Sequence, residues 1–418
     1  MPEPETHRAI EAVWRIESAK LVGGLAKMTR DVGLAEELAQ DALVVALAQW
    51  PANGIPDNPG AWLMQTAKRR AIDHFRRSRV LARNLPGMTY EQELKQDETR
   101  DYDAQLDDDV KDNVLSLIFT ACHPVLSAEA RSALTLRLVG GLTTGEIARA
   151  FLVPEPTIQQ RIVRAKKTLA EAHIPFEVPR GEERAKRLGS VLEVLYLIFN
   201  EGYSATAGDD WMRTELCDEA LRVGRILARL APEEPEVHGL VALLEILVSR
   251  ASARVTADGT PILLLEQDRM RWNQILIRRG LAALTEAEQL GGALGPYALQ
   301  AAIAACHARA RGAADTDWRR IAALYDALAV VTPSPIVELN RAVAHAMAYG
   351  PEVGLQLLEP LTEVPILKSY HLLPTVRGDL LQKLGRDEEA RVEFRRAAEM
   401  TQNTRERALL LKRAGGQA

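Results

Sequence analysis

Leu142-Thr-Thr-Gly-Glu-Ile-Ala-Arg149 and, one residue on, Phe151-Leu-Val-Pro-Glu-Pro-Thr157-Ile-Gln-Gln-Arg-Ile-Val-Arg164-Ala-Lys-Lys167 decide the fold class. The stretch reads as two helices joined by a tight turn. Thr143 followed by Glu146 fits a capping box, which fixes the start of the first helix. Ile147, Ala148 and Phe151 supply its buried face. Pro154 and Pro156 restrict the turn, and either tolerates a first helical turn because no amide there needs a helical partner. Ile158, Ile162, Ala165 and Leu169 recur at helical period and form the inward stripe of the second helix. Thr157, Gln159, Gln160, Arg161, Arg164, Lys166 and Lys167 are left for a partner. Gln and Arg suit base edges, and Lys suits phosphates. This is the form of a helix-turn-helix whose second helix enters the major groove of DNA. An amphipathic hairpin with solvated charges would show the same period, so the rest of the chain must decide.

Upstream, a first module covers about 7–83 and is helical. Ile10, Val13, Ile16 and Leu21 mark a first helix. Leu34, Leu38, Ala42 and Val45 mark a second over 34–49, with Glu36, Glu37, Gln40 and Asp41 on other faces. Pro51-Ala-Asn-Gly-Ile-Pro-Asp-Asn-Pro-Gly60 breaks it. A third helix, about 60–79, sets Leu63, Ala67, Ile72 and Phe75 inward and Lys68, Arg69, Arg70, Arg76 and Arg77 mostly outward. These cations would neutralise several phosphates. Trp62, beside the Pro/Asn/Gly loop, is placed to stack on an exposed base, and the loop could cradle one that has been flipped out. Residues 84–109 are an acidic linker that repels itself and stays extended. A second helical module, 110–175, holds the helix-turn-helix, and Pro175 and Pro179 mark its end.

The remainder, 180–418, is helical, rich in Ala and Leu, and partly repetitive. In Ala390, Phe394 and Ala397 the small–aromatic–small spacing lets helices approach closely and plugs a ring between them, as in a tetratricopeptide pair. Tyr325, Leu328 and Pro333 look like the end of an earlier unit. The expected fold is therefore all-α: two small helical domains, then a tetratricopeptide-like extension that is most regular at about 296–400.

Composition narrows the class. The 418 residues carry a net charge of −5, but positive charge concentrates at 68–83 and 161–167 while 91–112 is strongly acidic. Distribution matters more than the sum for a DNA binder. The longest apolar run, around Val191–Phe199, is too short to span a bilayer, and the N-terminus lacks a secretory pattern, so a cytoplasmic protein is expected, with no membrane partner. Three cysteines far apart, Cys122, Cys217 and Cys306, argue against a disulfide framework. Cys122-His123 and Cys306-His307 lack CxxC spacing and read as helix interior, so no metal site and no cofactor are expected.

The order of acidic-apolar helix, Trp50, loop, Asn58-Pro-Gly-Ala-Trp-Leu-Met-Gln-Thr-Ala-Lys-Arg-Arg-Ala-Ile-Asp-His-Phe-Arg-Arg77, acidic linker and helix-turn-helix resembles an extracytoplasmic-function sigma factor of bacterial RNA polymerase over about 7–175. Tyr196-Leu-Ile-Phe-Asn-Glu-Gly-Tyr203 and Pro333-Ser-Pro-Ile-Val-Glu-Leu-Asn-Arg-Ala342 resemble the subgroup with a large C-terminal tetratricopeptide-like extension. The resemblance implies roles. Glu36, Glu37, Leu38, Gln40 and Asp41 match the helix that docks on the clamp helices of the largest polymerase subunit, and the flap of the second largest subunit is a further implied partner. Asn58, Trp62, Lys68, Arg69, Arg70, His74, Arg76 and Arg77 match the part that melts and reads the −10 element. The linker matches the segment that enters the RNA exit path. The helix at 155–169 matches the reader of the −35 element. The sequence departs from the family where Pro154 stands in place of a capping Ser or Thr.

The implied function is promoter-specific initiation by a sigma subunit, with no catalytic residue of its own, and an extension that regulates activity and takes a protein or peptide partner. The competing reading is a helix-turn-helix activator with a helical-repeat sensor that binds duplex DNA without the polymerase. An enzyme hidden in the extension would have to use polar groups such as His238, Asp268, Arg269, Asn273, His307, Glu338, Asn340, Arg341, His345 and His371. No nucleophile–base pair or phosphate loop is legible among them. Asp268-Arg-Met-Arg-Trp272 is the phrase there that most resembles a site.

Overall fold

The fold is that of a computed structural model describing residues 3–83, 106–151, 153–204, 207–208, 212–256, 260–368 and 370–415. Most of the acidic linker, 84–105, lies outside the described residues. The chain divides into two compact units, Met1–Val194 and Leu195–Ala418. Among the described residues the architecture is all-α apart from one two-residue parallel pair and an isolated bridge between Val255 and Pro261.

In the first unit, α1 (Glu3–Thr29), α2 (Val32–Asn53) and α3 (Pro59–Arg83) make the first module. Asp31 caps α2 by accepting from the amides of Gly33 and Leu34 at 2.7 and 3.1 Å, which satisfies donors that a helix start leaves open. Gly54, at φ +82°, ends it. Ile10, Trp14, Leu21, Leu25, Leu38, Trp50 and Leu63 build the core. One sequence expectation fails here: Ile72, expected inward, is 49% exposed. On α3 the phase set by Leu63 and Ala67 continues to Ala71, four residues on, so Ile72 is turned away by one residue's rotation.

The second module comprises α4 (Leu106–Ala121), α5 (Ala128–Leu138), α6 (Thr144–Phe151) and α7 (Glu155–Glu171). It packs on the first. The position of a Cβ at Gly23 in α1 would lie 2.9 Å from the Asn113 carbonyl oxygen of α4, so the two backbones touch where only glycine fits. Arg15 and Glu146 form an ion pair at 2.9 Å across the same boundary. Helix α8 (Gly181–Tyr203) begins in this unit. Its first half lies on the helix-turn-helix module: Arg187 donates to the Phe119 carbonyl at 2.8 Å, Ser190 to the Cys122 carbonyl at 2.6 Å, and Arg131 donates to Ser190. Leu188, Val191, Leu192 and Val194 are buried. The compact unit thus runs past Pro175 and Pro179.

The second unit holds α9 (Thr214–Leu230), α10 (Pro235–Val248), α11 (Gln274–Gln289), α12 (Pro296–Arg309), α13 (Trp318–Val331), α14 (Pro335–Tyr349), α15 (Pro351–Leu358), α16 (Leu372–Lys383), α17 (Asp387–Met400) and α18 (Thr404–Arg413). β1 (Ala207–Gly208) pairs in parallel with β2 (Gln402–Asn403). Successive helices pack as hairpins, with small residues at the contacts: Ala242, Ala287, Ala298, Ala301 and Ala305 lie in one core cluster with Leu243, Ile246 and Leu284. Phe394 of α17 is fully buried against Gly378 of α16, and Ala390 and Ala397 flank it, as the small–aromatic–small spacing requires. Between α10 and α11 the chain is irregular, with short 3-10 turns. Among the described residues no helix is long and apolar enough to cross a membrane.

Candidate nucleic-acid interface

The helix-turn-helix forms as its sequence requires. The Thr143 amide donates to Glu146 Oε2 at 2.7 Å, and the Glu146 amide donates to Thr143 Oγ1 at 3.1 Å, a closed capping box at the start of α6. Backbone and side-chain hydrogen bonds from Thr143, together with the Arg15 guanidinium, hold the Glu146 carboxyl below the usual range against the opposing effect of burial. Pro154 supplies no side-chain cap to α7, whose N-terminus is instead secured by Thr144 Oγ1 donating to Glu155 Oε1 at 2.7 Å. Ile158, Ile162, Ala165 and Leu169 are buried in a row.

That row fixes which residues of α7 face outward. Gln159, Gln160, Arg164 and Lys167 are exposed, and Thr157 and Arg161 are half-buried at the edges. Val163, which sequence reading left out, stands among them at 64% exposure. Lys166 turns the other way and pairs with Glu36 of α2. Between Gln159 and Lys167 the exposed face of this seventeen-residue helix is therefore a strip of two amides, two cations and one β-branched side chain, with the exposed carboxylates of Glu155 and Glu171 nearer its ends. It has the donors and acceptors to meet base edges and phosphates in a groove wide enough for a helix.

The first module presents a second basic strip. Arg69, His74 and Arg76 are exposed on α3, and Lys68 is half-buried. The side chain of Arg77 lies outside the described residues. Arg70 pairs with Asp41 of α2 at 2.7 Å, so two residues expected to serve different partners hold one another. Asn58 caps α3: its Oδ1 accepts from the Ala61 amide at 3.0 Å. Trp62 is half-buried and meets Trp50 edge-on at 5.3 Å between centroids, with the loop 54–58 beside it. On α2, Glu37 and Asp41 are exposed, Gln40 is half-buried, and Leu38 is buried in the module's own core. Glu36, expected on a polar face, is 5% exposed. Arg137 Nε donates to its Oε1 at 2.5 Å, and Lys166 reaches its other oxygen. Sequence reading passed over Arg137. Its signal was a lone cation between Leu134, Leu136 and Leu138, all buried.

Most of the polar groups that the sequence offers in the extension are engaged within its own fold, although His307 Nδ1 and Trp272 Nε1 are buried without a hydrogen-bond partner. Asp268 accepts from the Met270 amide at 2.9 Å, and Asn273 caps α11. Arg269 donates to the carbonyls of His307 and Ala310 at 2.6 and 2.9 Å and to Thr316 at 2.9 Å. Trp272 is buried. His238 bonds the Pro232 carbonyl, His345 and Arg341 share Asp326, Arg341 also takes Glu338, and His371 meets Glu406. All three cysteines are buried, and burial pushes the Cys122 thiol up to about 11. Among the described residues no group of three or more potential ligands could hold a metal ion.

Three family models match the chain: sigma-70 region 2 over residues 17–80, sigma-70 region 4 over 116–169, and a family of unknown function (DUF6596) over 187–288. The first two coincide with α1–α3 and with α4–α7. An uncharacterized protein of Rhizobium meliloti (strain 1021) is 45% identical across 93% of this chain and 91% of its own length. The chain is an extracytoplasmic-function sigma factor with a large C-terminal extension. A probable ECF RNA polymerase sigma factor SigI of Mycobacterium tuberculosis (strain H37Rv) is 26% identical, over 43% of this chain and 60% of that protein. No solved structure matches the chain. The sigma factor's helix-turn-helix is thus region 4, its α1–α3 module is region 2, and the matched part of its extension starts inside α8. Sigma factor families are not enzymes.

Proposed function

We propose that this sigma factor docks on the RNA polymerase core through α2, reads and opens the −10 element with the loop at 51–59 and α3, and reads the −35 element with α7. The observation that carries this is the exposed strip Gln159, Gln160, Arg164 and Lys167 on a capped, buried-stripe recognition helix. Base edges take the amides and Arg164, and phosphates take Lys167. On the −10 side, Arg69, His74 and Arg76 supply positive charge beside Trp62, whose half-buried ring is available to an unstacked base. Opening the duplex costs a few kcal/mol per extruded base, which stacking and phosphate contacts offset. Core and promoter are the partners, the cytoplasm is the place, and RNA synthesis belongs to the polymerase.

The extension controls activity in place of a separate inhibitor and takes a protein or peptide partner. Supporting this is its fusion through α8, which starts on the region 4 module and ends in the second unit.

The test is run-off transcription on genomic fragments with bacterial core polymerase and the full chain. Selective initiation that depends on the added chain is expected. Duplex binding by the chain alone, with no initiation in the presence of core, would overturn the reading in favour of an activator. Repeating the assay with a chain ending at Val194 gives the sign of the extension's effect, and identical transcription under all conditions would remove its regulatory role.

A further inference from the structure

Glu36 belongs to the residues read as docking on the polymerase, and Lys166 to those read as meeting promoter DNA, yet their side chains hold each other. Arg137 of α5 completes the contact, with Nε on Glu36 Oε1 and Nη1 on the Leu142 carbonyl at 3.1 Å. The carboxylate is almost fully enclosed. Two cations from adjoining helices thus converge on one small oxyanion, beside the exposed strip that carries Arg164 and Lys167. Charge-assisted N–H donors arranged in this way grip a phosphate oxygen as readily as a carboxylate. Backbone phosphates are the contacts that set a helix-turn-helix in register on the duplex.

We propose that Arg137 and Lys166 form a binding site for a DNA backbone phosphate, and that Glu36 occupies it in the free chain. This rests on the reading of α7 as the DNA-facing helix. The closed packing of regions 2 and 4 and the engagement of DNA then exclude one another. Moving α2 onto the polymerase frees its own acidic residue and uncovers the phosphate site in one step. Arg15–Glu146 and the α1–α4 contact at Gly23 support the closed arrangement without touching the site.

Zero-length carbodiimide coupling on the full, unmodified chain tests the proposal, read by peptide mass spectrometry. A Glu36–Lys166 cross-link is expected in the free chain, falling at least severalfold when mixed-sequence duplex DNA is added to saturation at low salt. A cross-link missing from the free chain, or unchanged on bound DNA, overturns the proposal. A second measurement compares duplex affinity. Glu36→Gln is expected to raise it severalfold, and adding Arg137→Gln to Glu36→Gln should abolish the gain and lower the salt slope by about one. If Glu36→Gln leaves affinity unchanged, the site is structural only. These assays use no polymerase. Loss of core-dependent initiation would sink the sigma mechanism, whereas loss of the cross-link competition would sink the phosphate site alone.

Discussion

Asn58 and Arg70 illustrate how the fold claims side chains that the sequence offers to a ligand. Asn58 spends its carbonyl on the start of α3, and Arg70 its guanidinium on Asp41. Of the exposed cations of α7, Lys167 pairs at 3.6 Å with Glu171 of its own helix, a contact that ties it to no other element. Replacing Arg164 or Lys167 by Ala should weaken duplex binding and lower the slope of log affinity against log salt by about one each. Titrations at several salt concentrations check this, and an unchanged slope would put the residue outside the DNA path. In the extension, a Cβ at Gly378 would lie 2.7 Å from Phe394 Cε1. Gly378→Ala should therefore cost roughly 1–3 kcal/mol through overpacking, and Phe394→Ala roughly 3–5 kcal/mol through the cavity it leaves. Chemical denaturation of the full chain measures both, with the second unit's transition expected to shift and the first unit's to stay.

Helices were legible wherever one apolar stripe was enough to define them. The stripe of α7 was read residue for residue, because Ile158, Ile162, Ala165 and Leu169 leave a single phase open. On α3 the inward phase was misread at its end, since both Ala71 and Ile72 are apolar and only packing chooses between them. Helix α12 carries a pH dependence that no stripe reveals. Burial first, then the Arg250 and Arg269 guanidinium groups, push His307 down to about 4. The unfolded chain takes up this proton near pH 6.5, whereas the folded chain does so only near 4, so stability contributed here is lost as pH falls through that window. The loss reaches about 3 kcal/mol at the bottom of the window, at about 1.4 kcal/mol per unit. His307→Gln should flatten the decline in melting temperature between pH 6.5 and 4. An equally steep decline in the variant would assign it to other groups.

At the scale of the whole molecule, the first half of α8 belongs to the sigma modules. A chain ending at Ala172 loses Arg187, Ser190 and the buried apolar residues Leu188, Val191, Leu192 and Val194. It should melt roughly 5–10 °C below a chain ending at Val194, as the loss of a few kcal/mol implies for a unit of this size. Calorimetry on the two chains decides it, and equal midpoints would show that α8 adds nothing to region 4.

The sequence alone determined the all-helical class, the turn between α6 and α7, the cap at Thr143 and Glu146, and the buried stripe of α7. Each depends on residues within a few positions of one another, where helical period and hydrogen-bonding reach settle the outcome. Tertiary structure alone decided that Glu36 is buried, that Arg137 meets it, and that Lys166 faces inward. Arg137 is 101 positions from Glu36. A carboxylate can leave water only when cations are brought to it, and no local pattern records which distant cations the packing of two modules will supply.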